Sequence, residues 1–307
     1  MTSFQSTHLP LAGAFAALGL LALLTLSCGG SEPGATPEPT ATPEFRPLAL
    51  PSGLIAFAST RDGNLEIYII NGDGTNPRRL TDDPAADQLP TWSPDGALIA
   101  WSRDQDVYVM AQDGSGQTRL AEDAGFPTWS PDGSMIAFAS QGDVFAMRAD
   151  GSKIENLTDN PDGWDSIPAW SPDGTQIAFV SNRDGNLEIY VMNSDGSDQT
   201  RLTERVQEED SRPSWSPDGS EIAFGGMTEE RRRDILVMNA DGSSVSELTS
   251  AVEGENNDAP SWAPDGIRIA FVSEGDIHLI DADGSNFVNL TNDPTSPDVD
   301  PAWSPAQ

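Results

Sequence analysis

Cysteine is nearly absent from the 307 residues: Cys28 stands alone, so no internal disulfide can form. Histidine is almost as scarce, with two copies, and Lys153 is the single lysine. Zinc sites built from His and Cys clusters are excluded by counting. Nucleophilic catalysis with a histidine base has one candidate beyond the leading segment, His278, and no Gly-x-Ser-x-Gly elbow occurs. Positive charge is also short, since 16 basic against 49 acidic residues leave a formal charge of −33. A surface so negative repels nucleic-acid phosphates and anionic lipid headgroups, which removes both as expected partners; cationic partners and divalent metals stay open.

One long apolar run is present, Leu9 to Leu26, followed at once by Ser27-Cys28-Gly29-Gly30. It reads as the hydrophobic region of an export signal ending at a small residue. The string Leu24-Thr25-Leu26-Ser27-Cys28 resembles a lipobox, in which the cysteine becomes the lipidated first residue of the mature chain. Thr25 departs from the usual Leu, and the segment before it has no Lys or Arg. Ordinary signal cleavage and an uncleaved anchor are the alternatives, because about 18 apolar residues nearly span a bilayer. Ser31 to Pro47 is rich in Pro, Thr, Ala and Glu with almost nothing to bury, so it reads as an extended, solvated spacer. The expected organisation is a lipoprotein-type signal over residues 1–27, a disordered linker over 28–50 and one folded domain over 51–307.

That domain repeats itself. Trp92, Trp129, Trp170, Trp215, Trp262 and Trp303 each have Pro two residues before and two residues after, and in five copies Asp-Gly follows. Seven residues beyond those five Trp comes Ile-Ala-Phe or Ile-Ala-Trp, and Ile55-Ala56-Phe57 is a further copy with no Trp ahead of it. Later in each unit stands Asp-Gly-Ser/Thr, starting at Asp73, Asp113, Asp150, Asp195, Asp241 and Asp283, with Leu seven residues on and usually Thr next. Six copies with fixed offsets define a repeat architecture. Each unit reads as four short strands, with Pro-Asp-Gly and Asp-Gly-Ser as turns. The second and third strands are apolar on both faces, as in Ile177-Ala178-Phe179-Val180, so they need cover on both sides, which stacked neighbours provide. Pro before each Trp suits an edge strand along a channel. The repeat region opens with strands two to four of a unit and finishes, at Trp303-Ser304-Pro305, with strand one. The predicted fold is therefore all-β: a six-bladed β-propeller of four-stranded blades, its ring closed by the N-terminal strands pairing with the C-terminal one.

The strings Trp-Ser-Pro-Asp-Gly-x-x-Ile-Ala-Phe and Arg183-Asp184-Gly185-Asn186-Leu187-Glu188-Ile189-Tyr190-Val191-Met192-Asn193 resemble the WD-repeat-like propeller unit of the TolB-like family. The resemblance covers about residues 51 to 307 and implies binding of envelope proteins in the periplasm. TolB carries an extra N-terminal domain where this sequence has a signal and a spacer, so its particular role is not implied. Similar propellers accompany a catalytic domain in prolyl-oligopeptidase-like peptidases, for which the region after the last blade leaves no room.

Length variation is confined to the connections from strand two to three and from strand four to the next unit. Both emerge on one face of a propeller, which marks that face as the expected binding side. Five residues before each Trp the series Asp87, Ala124, Asp165, Asp210, Asn257 and Asp298 rings the channel mouth. Such carboxylates suit a cation, calcium included, or a basic peptide; alternatively each accepts backbone hydrogen bonds in its own loop. Trp164 and Phe126 lie in the same connections, where a ring stacks on a sugar, anchors a partner or packs on a loop. Arg231-Arg232-Arg233 is a basic cluster in a variable loop, and Asp281-Ala282-Asp283-Gly284-Ser285-Asn286 resembles the opening of a calcium loop without its closing glutamate. His278 occupies the slot of Tyr68, Tyr108, Phe145, Tyr190 and Leu236, so it reads as a core substitution. The resulting expectation is a membrane-tethered, extracytoplasmic, monomeric binding propeller that takes an envelope protein or glycan through Asp87, Asp165, Asp210, Asn257, Asp298 and Trp164, with lipidation at Cys28, no catalysis and no required cofactor. A carboxylate-dependent polysaccharide hydrolase or lyase, metal-assisted or not, is the alternative.

Overall fold

The computed structural model describes residues 53–161, 163–205, 209–228, 232–249 and 256–306. The signal, the linker and Cys28 lie outside the described residues.

The described residues form six four-stranded antiparallel sheets arranged as blades. Blade 1 joins the two ends of the chain: Asp298–Trp303 pairs with Leu54–Ser59, which pairs with Glu66–Asn71 and then Arg78–Arg79. Ile55 faces Trp303 in that register, as the split repeat requires. Blades 2 to 6 begin with the strands Asp87–Trp92, Ala124–Trp129, Asp165–Trp170, Asp210–Trp215 and Asn257–Trp262, and each is continuous in sequence. The first strands line the channel, since a central cavity of about 120 Å³ touches residues of all six.

Local chemistry explains the regularity. In Trp92-Ser93-Pro94-Asp95-Gly96, the Ser93 hydroxyl donates to Asp95 Oδ1 at 2.6 Å, and the Ala97 amide donates to the same oxygen at 3.0 Å. Gly96 supplies the positive φ of 69° that closes the turn. At the other turn Gly114 is required twice, by its φ of 89° and because a Cβ there would lie 2.7 Å from the Leu80 carbonyl oxygen of the preceding blade. Side chains of the second strand fill the seams between blades: Phe57, Trp101, Phe138, Phe179, Phe224 and Phe271 are among the largest fully buried groups. In one seam Ile55, Phe57 and Trp303 of blade 1 pack with Ala270, Ile277 and Leu279 of blade 6.

The outermost strands are shorter than the sequence pattern indicates, with two paired residues in five of the six blades. In those five the Thr that follows Leu replaces further pairing, while in blade 2 Ala121 stands there and the strand runs on to it. Thr81 Oγ1 accepts the Ile67 amide at 2.8 Å and donates to Glu66 at 2.6 Å. Thr203 repeats this with Ile189 and Glu188, and Thr249 with Ile235 and Asp234. A side-chain hydroxyl thus satisfies a buried ladder amide where the edge strand has already ended.

Candidate functional site

The two variable connections do share a face: the Asp104 amide, between strands two and three of blade 2, bonds the Ala86 carbonyl of the incoming connection at 3.3 Å, and Asn182 bonds Trp164 in the same way at 3.2 Å.

The ring of residues five before each Trp is present but internal. Asp87, Asp165, Asp210, Asn257 and Asp298 are all 0% exposed. Burying a carboxylate is costly unless it is paired, and each carboxylate is paired, within its own blade or with the connection that leads into it. Asp87 receives Arg103 through Nε and Nη2, both at 2.7 Å, and the Trp101 indole N–H at 2.9 Å. Asp165 receives Arg183 at 2.7 Å, Asp298 receives Arg61 at 2.9 Å, and Asp210 receives Arg205 at 2.9 Å. Arg61, Arg103 and Arg183 also lie over aromatic pairs, such as Phe57 and Tyr68 beneath Arg61. Asn257 donates to Asp234 and Thr249, both at 3.1 Å. The expectation of a carboxylate mouth open to cations is therefore corrected: these groups brace the first strand to its neighbours, because a carboxylate placed there is desolvated and must find an internal cation. Asp210 shows the strain of that position. Burial pushes it up to about 6 against the pull of Arg205, and Glu188 adds to the rise.

What faces the channel is the residue two positions further on. Every first strand carries a register shift. Within each shift one non-glycine residue takes a left-handed backbone: Leu89, Phe126, Ile167, Arg212, Ala259 and Asp300, with φ between 53° and 57°. Such a φ is uncommon outside glycine and costs about 1–2 kcal/mol, most plainly for β-branched Ile167. These six and the prolines after them line the central cavity as a collar. The collar was not anticipated, although a varied residue immediately before each invariantly spaced Pro was there to be seen.

The collar holds one charged contact. Arg212 Nη1 lies 2.6 Å from Asp300 Oδ1, and the Leu89 amide donates to Asp300 Oδ2 at 3.3 Å. Burial works against the Arg212 charge, but Asp300 and Asp258 overcome it and hold the guanidinium above its ordinary value.

The remaining candidates separate clearly. Trp164 is 39% exposed on the loop face, and Phe126 belongs to the collar. Arg231 lies outside the described residues; Arg232 lies 3.7 Å from Asp234, and Arg233 lies 3.2 Å from Asp258. Asp283 accepts the Ser285 amide and hydroxyl at 2.9 and 2.6 Å, while Asp281 takes Arg268 at 3.1 Å and Asn286 at 2.7 Å, so the calcium-like string forms a turn. Among the described residues no group of three or more His, Cys, Asp or Glu is placed to hold a metal. His278 stacks on Phe287 at 4.8 Å and tilts against Phe271 at 5.9 Å, as a packing residue does.

A family model described as the TolB beta propeller domain matches residues 121–307. The Tol-Pal system protein TolB of Desulfosudis oleivorans is 46% identical over 48 residues, which is 16% of this chain and 11% of that protein. The matched stretch thus spans about a tenth of the curated relatives. Crystalline TolB from Acinetobacter baumannii has a TM-score of 0.72 at 21% identity, over 83% of this chain and 67% of that one. An oligogalacturonate lyase from Vibrio parahaemolyticus has a TM-score of 0.54 at 13% identity, over 76% of this chain and 73% of its own. At such identities the solved structures establish the fold alone.

Proposed function

The chain belongs to the TolB beta propeller domain family, and from that premise we propose that it is a non-catalytic, extracytoplasmic module that captures an envelope protein at its channel mouth. One observation carries this reading. Six blades repeat the same collar backbone, yet no two collar side chains are alike: Leu89, Phe126, Ile167, Arg212, Ala259 and Asp300. A strained conformation kept in every copy, with its side chain freed from the repeat, suits recognition of an asymmetric partner. The collar also offers the elements of an interaction centre: aromatic and aliphatic groups beside a guanidinium.

Catalysis by paired carboxylates would need acidic groups open to substrate. Those of the predicted ring are engaged by arginine within the fold. The leading segment fits export and lipid attachment at Cys28, with the Pro-rich stretch as spacer. Such a tether would hold the collar away from a membrane surface.

Capture from an envelope extract tests the proposal. Wild-type chain and the Phe126→Ala and Arg212→Ala variants are immobilised side by side. A discrete protein retained by wild type and reduced about tenfold by either substitution supports the reading. Equal recovery from all three removes the collar from it. Mass spectrometry of the mature N-terminus, with Cys28→Ala as control, tests the tether separately.

A further inference from the structure

Blade 3 is built differently from its neighbours. Ala124 stands where Asp87 and Asp165 stand in blades 2 and 4, and Ser140, the cross-strand partner of Ala124, stands where blade 2 has Arg103, the cross-strand partner of Asp87. The internal ion pair is therefore missing, and Gly125 and Gly142 add no bulk of their own. In its place the loop face holds a cavity of about 230 Å³ between blades 2, 3 and 4. Pockets for drug-sized ligands run to ~300–1,000 Å³, so this one suits a single ring.

Its walls have a definite chemistry. Trp164 overhangs it, 39% exposed yet fixed in place: its amide donates to Asn182 Oδ1 at 2.6 Å, and its carbonyl accepts the Asn182 amide at 3.2 Å. The indole Cδ1 lies 3.7 Å from where a Cβ on Gly142 would be, so the ring leans over the glycine. The amides of Gln105 and Gln141 line the space, and both residues are exposed. Ser166 also lines it, fully buried, and its Oγ has no hydrogen-bond partner among the described residues. A buried hydroxyl left so is destabilising, and a ligand hydroxyl would relieve it. Asp123 is the one ionisable group in the wall, so no cation is present to attract an anionic ligand.

We propose that this cavity binds one uncharged pyranose unit of a glycan. The indole of Trp164 takes the apolar C–H face of the sugar. Gln105 and Gln141 present donors and acceptors to vicinal hydroxyls, Asp123 accepts from them, and Ser166 meets one at the floor. The site goes beyond partner capture at the collar, with which it shares only Leu89 and Phe126: a single sugar, not a protein, is the ligand.

Methyl pyranosides of glucose, galactose, mannose and N-acetylglucosamine are titrated into the purified chain up to tens of millimolar. Saturation-transfer NMR and tryptophan emission are followed. At least one should bind with Kd on the order of millimolar, with transfer strongest to protons on one ring face. Trp164→Ala should weaken it about tenfold at an unchanged melting temperature, since the ring is exposed. The double variant Ala124→Asp/Ser140→Arg, which installs the ion pair of blade 2, should fill the cavity and abolish binding. Partner recovery at the collar should be the same for the double variant as for wild type, so the two proposals fail separately. Absence of binding by every pyranoside, or binding untouched by both variants, overturns the sugar site.

Discussion

Arg212 of blade 5 and Asp300 of blade 1 meet over blade 6, with Nη1 and Oδ1 2.6 Å apart in the collar of the channel. The contact ties the two ends of the fold to its middle, because Asp300 lies in the closing strand.

Removing one partner should therefore be felt in stability. Arg212→Met leaves Asp300, 9% exposed, without its cation. The expected loss is about 1–3 kcal/mol, below the ~3–5 of a fully buried pair because Arg212 keeps some solvent. Urea unfolding measures it, and Arg212→Met/Asp300→Asn should recover most of the loss.

The internal braces make a sharper case. Arg103→Ala strands Asp87, a fully buried carboxylate, and should cost about 3–5 kcal/mol. Asp87→Asn should cost less, since no buried charge is orphaned. If the ring were open to solvent, the two variants would unfold at nearly the same urea concentration as wild type.

Acid should loosen the turns. Hydrogen bonds from Ser216 and from Ser220 hold Asp218 down at about 2, below the ordinary 3.8. Asp73, Asp113, Asp195, Asp241 and Asp283 are lowered by the same device. A depressed carboxylate stabilises above its unfolded value, and that contribution is lost as pH falls through the folded one. Melting temperature should fall steeply from about pH 4 toward pH 2, and Asp218→Asn should flatten part of that slope.

Asp210 runs the other way. Its folded value, raised to about 6 by burial, stabilises fully below 3.8 and ceases to as pH rises through 6. The difference amounts to about 2–3 kcal/mol. Between pH 4 and 6, the stability of Asp210→Asn relative to wild type should therefore rise with pH, and thermal melts across that range check the sign.

Closure depends on one strand. Trp303 is 8% exposed and faces Ile55 across the joint. Trp303→Ala should cost about 3–5 kcal/mol, and loss of residues 298–307 should leave Leu54–Ser59 as an open edge prone to association. Denaturant melts and light scattering report the two effects.

Blade number, strand order and the joint at Trp303 could be read along the chain because each depends on local spacing: Trp to Ile, Asp to Leu, Pro beside Trp. The buried nature of Asp87, Asp165, Asp210 and Asp298 could not. A carboxylate before a channel strand looks the same in sequence whether it meets solvent or Arg103, Arg183, Arg205 or Arg61, which lie 5 to 237 positions away. Ala124 was visible as a break in that series, but only as a missing charge.

The sequence by itself determined the repeat and the turns, since turn chemistry and apolar runs act between residues close in the chain, and the closed ring, since the repeat is split so that its two ends complete one blade. Tertiary structure alone decided which groups face the channel. A register shift in each first strand rotates Leu89, Phe126, Ile167, Arg212, Ala259 and Asp300 into it, while desolvation drives the neighbouring carboxylates onto internal arginines. The cavity beneath Trp164 exists for the same reason: where Ala124 and Ser140 replace a buried ion pair, the packing of three blades leaves space that no single segment encodes.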